Sequence, residues 1–332
     1  MLAAAALAGA ALDDPAGATT VPPTAVAWVA THAVVSDPGG TIVRVTLPAG
    51  SRNTGPSRIT TASQPTAMAL TPNGRRLLVV NEGANSLSVV DVADGEVVAT
   101  VFAGIQPDAV AVAPGGTDGA GVALVADFGS GRLTPIDLAT LRAGPSVGVG
   151  DAPDAVAVAD LPSGEFALVA DFADATVHVV DVATMRAGPA IAVGTEPDAV
   201  AVIGGSPPLA LVADFGSDAL TPIDLSTFRS GSPVPVAGDP TGVVTSPDGT
   251  FAWVAGGGAL TPVKLAGLQP GIPVSLRSPA EALTLAGPSG TTAWVAEENG
   301  WLVPVPLPGG PPGHGVYVGG HPTSVVIVPA AR

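Results

Sequence analysis

The chain has 332 residues, of which 47% are hydrophobic, and 28 acidic against 12 basic residues give it a net charge of -16. This excess of acid repels phosphate backbones and argues against nucleic-acid binding. There is no cysteine, which excludes disulfides, thiolate metal sites and cysteine nucleophiles.

Residues 1–23 predict a leader outside the folded domain. The apolar run at 2–12, followed by Asp13-Asp14-Pro15, is typical of the end of a secretory signal peptide, although no basic segment precedes it. On this interpretation the protein is exported, to an extracellular, periplasmic or cell-surface location. The alternative is an alanine-rich disordered leader.

Beyond the leader, one unit of about 43 residues recurs along the chain. Each unit has a proline-led apolar strand, a Gly/Pro turn, a second apolar strand, a third strand that mostly ends in Asp, and a short fourth strand. The prolines that lead the seven first strands are Pro65, Pro107, Pro153, Pro197, Pro240, Pro279 and Pro322. The apolar runs are too short for membrane-spanning helices, and four short strands per unit predict the blades of a β-propeller rather than βαβ units.

The two ends of the chain predict how the ring closes. Residues 26–60 contain a second, third and fourth strand without a first strand, whereas residues 321–329 are a first strand with nothing after it. Together they make one blade, which leaves no open edge between the first and last blades. The predicted fold is therefore all-β: a single domain over residues 24–332, a seven-bladed β-propeller of four-stranded antiparallel blades, closed by the C-terminal first strand.

The unit that begins Pro65-TAMALTPNGRRLLVVNEGANSLSVVDV resembles the YVTN family of β-propeller repeats, which includes YncE-like and surface-layer propellers. The family's Asn position is kept at Asn81 and replaced by Asp in the next three units. The family pattern is broken by four prolines inside third strands, where the missing N–H requires a bulge or a splayed neighbour. These prolines are Pro135, Pro222, Pro262 and Pro304.

Acidic residues recur at two positions of three consecutive units. The inner set directly follows the leading proline and is predicted at the mouth of the central channel; it comprises Asp108, Asp154 and Asp198. The outer set ends the second strands, each member followed by an aromatic residue; it comprises Asp127, Asp171 and Asp214 with Phe128, Phe172 and Phe215. Clusters of carboxylate oxygens are suited to Ca²⁺ or another divalent cation, and the predicted metal position is the inner set. Acidic groups beside aromatic rings are also suited to a cationic organic ligand. The structural alternative is that these carboxylates accept hydrogen bonds from turn N–H groups.

Catalytic candidates are few. His32 and His321 are expected on the same face of the closing blade, with Glu297 nearby, as a general acid or base. No tight metal-ligand spacing such as H-E-x-x-H is present.

The leading functional hypothesis is therefore a monomeric, non-catalytic binding or scaffold protein. It holds a protein, peptide or cation at its top face, which is the acidic face that carries Asp108, Asp154 and Asp198 at the mouth of the central channel. The alternatives are a metal-dependent lactonase- or lyase-like propeller enzyme with its site at the channel mouth, and an accessory propeller beside a redox partner.

Overall fold

The computed structural model describes residues 4–5, 25–32, 40–47, 57–115, 120–205, 207–286 and 290–328. These residues form seven antiparallel sheets, the blades of a β-propeller. We number the blades 1 to 7 from residue 25, and call their strands inner, second, third and outer from the central channel outwards.

The strands recur in the predicted order. The inner strands of blades 2 to 7 and then blade 1 are Pro65–Leu70, Pro107–Ala113, Pro153–Leu161, Pro197–Ile203, Pro240–Thr245, Ala280–Ala286 and His321–Val328. The second strands of blades 1 to 7 are Ala25–His32, Arg76–Asn81, Val122–Asp127, Gly164–Asp171, Leu209–Asp214, Phe251–Gly256 and Thr292–Glu297. The third strands are Thr41–Leu47, Ser86–Asp91, Arg132–Asp137, Thr176–Asp181, Ala219–Asp224, Ala259–Lys264 and Trp301–Pro306. Two 3₁₀ turns, Glu82–Ala84 and Phe215–Ser217, follow second strands.

The closure predicted from the two chain ends is confirmed. His321–Val328 pairs antiparallel with Ala25–His32, and Trp28 lies opposite Val326. Trp28 is completely buried. The C-terminal strand therefore supplies the inner edge of the first blade.

The outer strands explain the prolines in the third strands. In blades 1, 2 and 7 the outer strands are Ser57–Thr60, Val97–Phe102 and Val316–Tyr317, whereas blades 3 to 6 have two short pieces each: Arg142–Ala143 and Val147–Gly148, Arg186–Ala187 and Ile191–Ala192, Arg229–Ser230 and Val234–Pro235, Gln269–Pro270 and Val274–Ser275. Pro135 stands opposite the gap between two pieces, and its carbonyl accepts the Gly144 N–H at 2.8 Å. The carbonyls of Pro222, Pro262 and Pro304 each accept the equivalent hydrogen bond from a glycine N–H of their own blade. Each proline thus faces a bulge where no ladder N–H is needed.

Every blade is buried on both faces because it packs between two others. Ala109 belongs to the same hydrophobic cluster as Val156 of blade 4, whereas the next residue, Val110, belongs to the same cluster as Leu78 of blade 2. Strands buried on both faces lose the apolar/polar alternation, which accounts for the continuous apolar runs of the sequence.

One further strand lies inside the ring. Ala4–Ala5 pairs in parallel with the inner strand of blade 5, with Ala4 beside Ala199 and Ala5 beside Val200. It also contacts the inner strands of blades 2, 3, 4 and 6, which places it in the central channel. The rest of the predicted leader lies outside the described residues. Across the described ranges, no helix is long and apolar enough to cross a membrane.

Candidate functional site

A β-bulge at the start of every inner strand builds the candidate site. In all seven blades, the inner strand has one extra residue at this point of its pairing with the second strand. Asp154 is an example, because Pro153 pairs with Asp171 and Ala155 pairs with Ala170, which leaves Asp154 without an opposite residue. A bulge of this kind re-aims the extra side chain. We call these positions the bulge ring; they carry Thr323, Thr66, Asp108, Asp154, Asp198, Thr241 and Glu281. All seven bear a side-chain oxygen.

Two threonines of the bulge ring join neighbouring blades. The Thr323 hydroxyl donates to the Pro65 carbonyl at 2.8 Å, and the Thr241 hydroxyl donates to the Ala280 carbonyl at 2.8 Å. In both cases the acceptor is the first residue of the inner strand of the next blade. Thr66 stands at the same position, is almost fully buried, and has a hydroxyl without a hydrogen-bond partner.

The three aspartates of the inner set meet in the bulge ring. Asp108, Asp154 and Asp198 are only 4%, 0% and 3% exposed. The Asp154 carboxyl is in hydrogen-bonding contact with the carboxyls of both neighbours. Neither Asp154 oxygen receives a hydrogen bond from an N–H or hydroxyl group. Carboxyls in such contact without a cation must share protons.

The electrostatics of the inner set follow from this burial. Loss of water, followed by the contact with Asp154, raises the pKa of Asp108 well above its ordinary value, and Glu82 raises it further. Burial also raises the pKa of Asp198, and the charges of Asp154 and Asp108 add to the effect. A positively charged group beside these carboxyls would lower both pKa values and so oppose these effects.

The outer set lies at the ends of the second strands and divides in two. Asp171 accepts the backbone N–H groups of Ala152 at 2.9 Å and Asp174 at 2.7 Å. These are hydrogen bonds of the kind that the structural alternative describes, from turn N–H groups to a carboxylate. Asp127 and Asp214 instead each accept a threonine hydroxyl of the third strand at 2.5 Å. Burial raises the pKa of Asp127 to about 7 and that of Asp214 to about 6, against the lowering effect of those threonine hydroxyls.

Glycines of the preceding blade make room for the outer set. A Cβ added to Gly104 would lie 1.9 Å from Asp127 Oδ1, and one added to Gly150 would lie 1.9 Å from Asp171 Oδ2. Gly194 has the same relation to Asp214, with 2.6 Å to its Cβ. These glycines carry a sequence signal, since each stands three residues before a leading proline, although that spacing alone does not show that they face a carboxylate.

The aromatic residues beside the outer set, Phe128, Phe172 and Phe215, are all half-buried. They lie just after the second strands that hold Asp127, Asp171 and Asp214. The combination of acid and aromatic groups in three consecutive blades is therefore present in the fold.

The histidine candidates converge on the closing blade. His32 and His321 are directly opposed in the strand pairing, at the end that carries the bulge ring. His321 is exposed. Burial, followed by the charge of Glu298, raises the pKa of Glu281 above its ordinary value, and the charge of His321 opposes this rise. Glu297 is fully buried and accepts the Arg277 N–H at 3.0 Å and the Asn299 amide at 3.2 Å. Glu281, a member of the bulge ring, is thus an acid within electrostatic range of His321.

Among the described residues, no group of three or more His, Cys, Asp or Glu side chains is arranged to hold a metal ion. A divalent cation at Asp108, Asp154 and Asp198 stays a prediction.

Comparisons with known proteins support the fold. No protein-family model matches the chain, and no curated protein is significantly similar in sequence. Among solved structures, hydrazine synthase from Kuenenia stuttgartiensis superposes with a TM-score of 0.71 at 18% identity, over 85% of this chain and 99% of that one. A functionally unknown protein from Desulfotomaculum acetoxidans gives a TM-score of 0.73 at 14% identity, over 91% and 98% of the two chains. Likeness at this level of identity establishes the seven-bladed propeller fold.

Proposed function

We propose that the chain is an exported, non-catalytic binding propeller of the YVTN type, which holds a cationic ligand or a cationic part of a protein partner at the channel end of its blades. The observation that carries the proposal is Asp154, a fully buried carboxyl that is flanked by two other carboxyls and receives no hydrogen bond from an N–H or hydroxyl group. Uncompensated acceptors in a low-dielectric site are costly, and an incoming cation removes that cost.

The position of the site within the fold supports binding rather than a purely architectural role. Thr241 and Thr323 show that a hydroxyl at the bulge ring suffices to join two blades. Three consecutive blades carry a carboxyl there instead, which does not stabilise the ring in the same way when ionised. A propeller fold alone fits many functions, so the proposal depends on this site.

Thermal unfolding tests the proposal. Wild type, Asp154→Asn and the control Asp151→Asn, an exposed carboxylate of the preceding loop, are each heated with CaCl₂, MgCl₂ or tetralysine. We expect at least one ligand to stabilise wild type and Asp151→Asn by about 2.7 kcal/mol at a hundredfold excess over Kd, but not Asp154→Asn. If no ligand stabilises wild type, or if the gain is equal in Asp154→Asn, the proposal is wrong.

The exported location rests on the apolar run at residues 2–12. It is tested by expressing the full chain with a C-terminal tag and determining the N-terminus of the cell-associated and released forms. Release of a form shortened near residue 12 supports export, and full-length protein confined to the cell interior contradicts it.

A metal-dependent lactonase- or lyase-like enzyme is the second candidate, favoured by the approach of His321 to Glu281. Hydrolysis of a panel of lactones in the presence of added Ca²⁺ or Zn²⁺ would reveal it. His321→Asn should abolish such an activity, whereas His314→Asn, at an exposed loop position, should not.

A further inference from the structure

Two kinds of unpartnered acceptor share one level of the channel. Neither Asp154 oxygen receives a hydrogen bond from an N–H or hydroxyl group, and the buried hydroxyl of Thr66, which is not acidic and belongs to a different blade, has no hydrogen-bond partner. The equivalent hydroxyls of Thr241 and Thr323 do have hydrogen-bond partners. The groups without such partners therefore lie in one arc of the bulge ring, which runs from Thr66 through Asp108 and Asp154 to Asp198.

The strand Ala4–Ala5 shows that the channel accepts an extended backbone. It runs parallel to the inner strand of blade 5, with Ala4 level with Ala199, the residue directly after Asp198. Because the strands are parallel and a strand rises about 3.3 Å per residue, a peptide whose first residue lies level with Ala199, as Ala4 does, has its N-terminal end at the level of Asp198. A group at that end of the peptide meets the three carboxyls.

The chemistry of the arc favours a primary ammonium over a metal ion. An ammonium brings three N–H donors and one positive charge, and so can bond to a row of carboxyls that lie in contact with one another. In the described part of the chain no three acidic or histidine side chains have the geometry that a metal requires. Burial also raises the pKa of Asp108 and of Asp198, which lowers the negative charge that a ligand of the three carboxyls must balance.

We infer that the ligand is an extended peptide of small residues that lies along the inner strand of blade 5, with its free N-terminal ammonium bound by Asp108, Asp154 and Asp198. This inference rests on the proposed function and specifies the ligand. The peptide backbone pairs with the channel edge of that strand, and the three carboxyls select for a free amino group.

Calorimetric titration with tetra-alanine tests the inference, with N-acetyl-tetra-alanine as the matched probe. Because Ala4–Ala5 uses the same strand edge, the full chain is titrated as wild type and as Ala4→Pro/Ala5→Pro, in which neither proline can donate an N–H. We expect the double variant to bind tetra-alanine at least tenfold more tightly than wild type does. We expect it to bind the acetylated peptide at least tenfold more weakly than the free peptide.

The carboxyls are tested in the same background. Adding Asp154→Asn should remove the preference for the free amino group, while adding Asp151→Asn should leave it unchanged. Equal affinity for the two peptides, no binding to the double variant, or a preference that survives Asp154→Asn would each overturn the inference. If tetra-alanine fails where Ca²⁺, Mg²⁺ or tetralysine still stabilises wild type through Asp154, the peptide inference falls and the proposed function stands; if all four ligands fail, both fall.

Discussion

Replacing Asp127 by Asn should stabilise the protein at alkaline pH and have little effect at acidic pH. Burial raises the pKa of this carboxyl to about 7, so the folded state favours its neutral form. Asn is close in shape, can still accept the Thr134 hydroxyl, and is the native residue at the same position of blade 2, where Asn81 is fully buried. The substitution therefore removes the ionisation and keeps the packing.

The magnitude follows from the shift. A carboxyl whose pKa rises from 3.8 to about 7 on folding binds more protons in the folded state, so the free energy of unfolding falls as pH rises between these two values. The full shift of about three pH units corresponds to about 4 kcal/mol. Because the unfolded chain is already mostly ionised at pH 5, roughly 2.5 kcal/mol of this loss falls between pH 5 and pH 8.

Urea unfolding at half-unit steps from pH 5 to pH 8 measures the effect. Wild type should lose stability over this range relative to Asp127→Asn, and the difference should level off above pH 7. Asp151→Asn, at an exposed site, serves as the control for a lost charge. A difference that is constant with pH, or that grows towards pH 5, would refute the argument that burial keeps Asp127 neutral.

Three other predictions concern the same region. Asp214→Asn should give a pH-dependent gain like that of Asp127→Asn, but smaller and with its midpoint near pH 6, as urea unfolding over the same pH series can show. Gly150→Ala should cost several kcal/mol or prevent folding, because its Cβ would meet a carboxylate oxygen at 1.9 Å and its φ is +112°, whereas Gly148→Ala, with nothing within 4 Å, should change the Tm by little. Thr323→Val should cost about 1–2 kcal/mol in urea unfolding by removing the hydroxyl that donates to Pro65, and Thr323→Ser should recover most of it.

The repeat made the fold predictable. The leading prolines, the turns and the split blade at the two chain ends are local signals, and each is confirmed in the strand order. Even the prolines of the third strands had a readable consequence, because a residue without an N–H must face a gap in the ladder. Pro135 does so opposite the break between two outer strand pieces.

The site was less accessible to sequence reasoning, and Glu281 shows why. Counting from the leading proline assigns Ala280 to the position of Asp108, but the pairing places Ala280 opposite Glu297 and Glu281 in the bulge. Pro279 therefore lies one position earlier in its blade than the leading prolines of blades 2 to 6. The spacing of the repeat alone does not reveal on which side of the bulge this extra residue lies. The near-complete burial of Asp108, Asp154 and Asp198, and hence their need to share protons, also depends on packing between blades that no single repeat encodes.

The closing strand imposes an order on folding. Trp28 is among the first residues of the propeller to be synthesised, and its partner Val326 is among the last. The first blade therefore lacks its inner edge until nearly all of the propeller has left the ribosome, and the ring cannot form earlier. Until Val326 has been made, the nascent propeller stays incompletely folded, with the edge of its first blade open to other strands or to a chaperone.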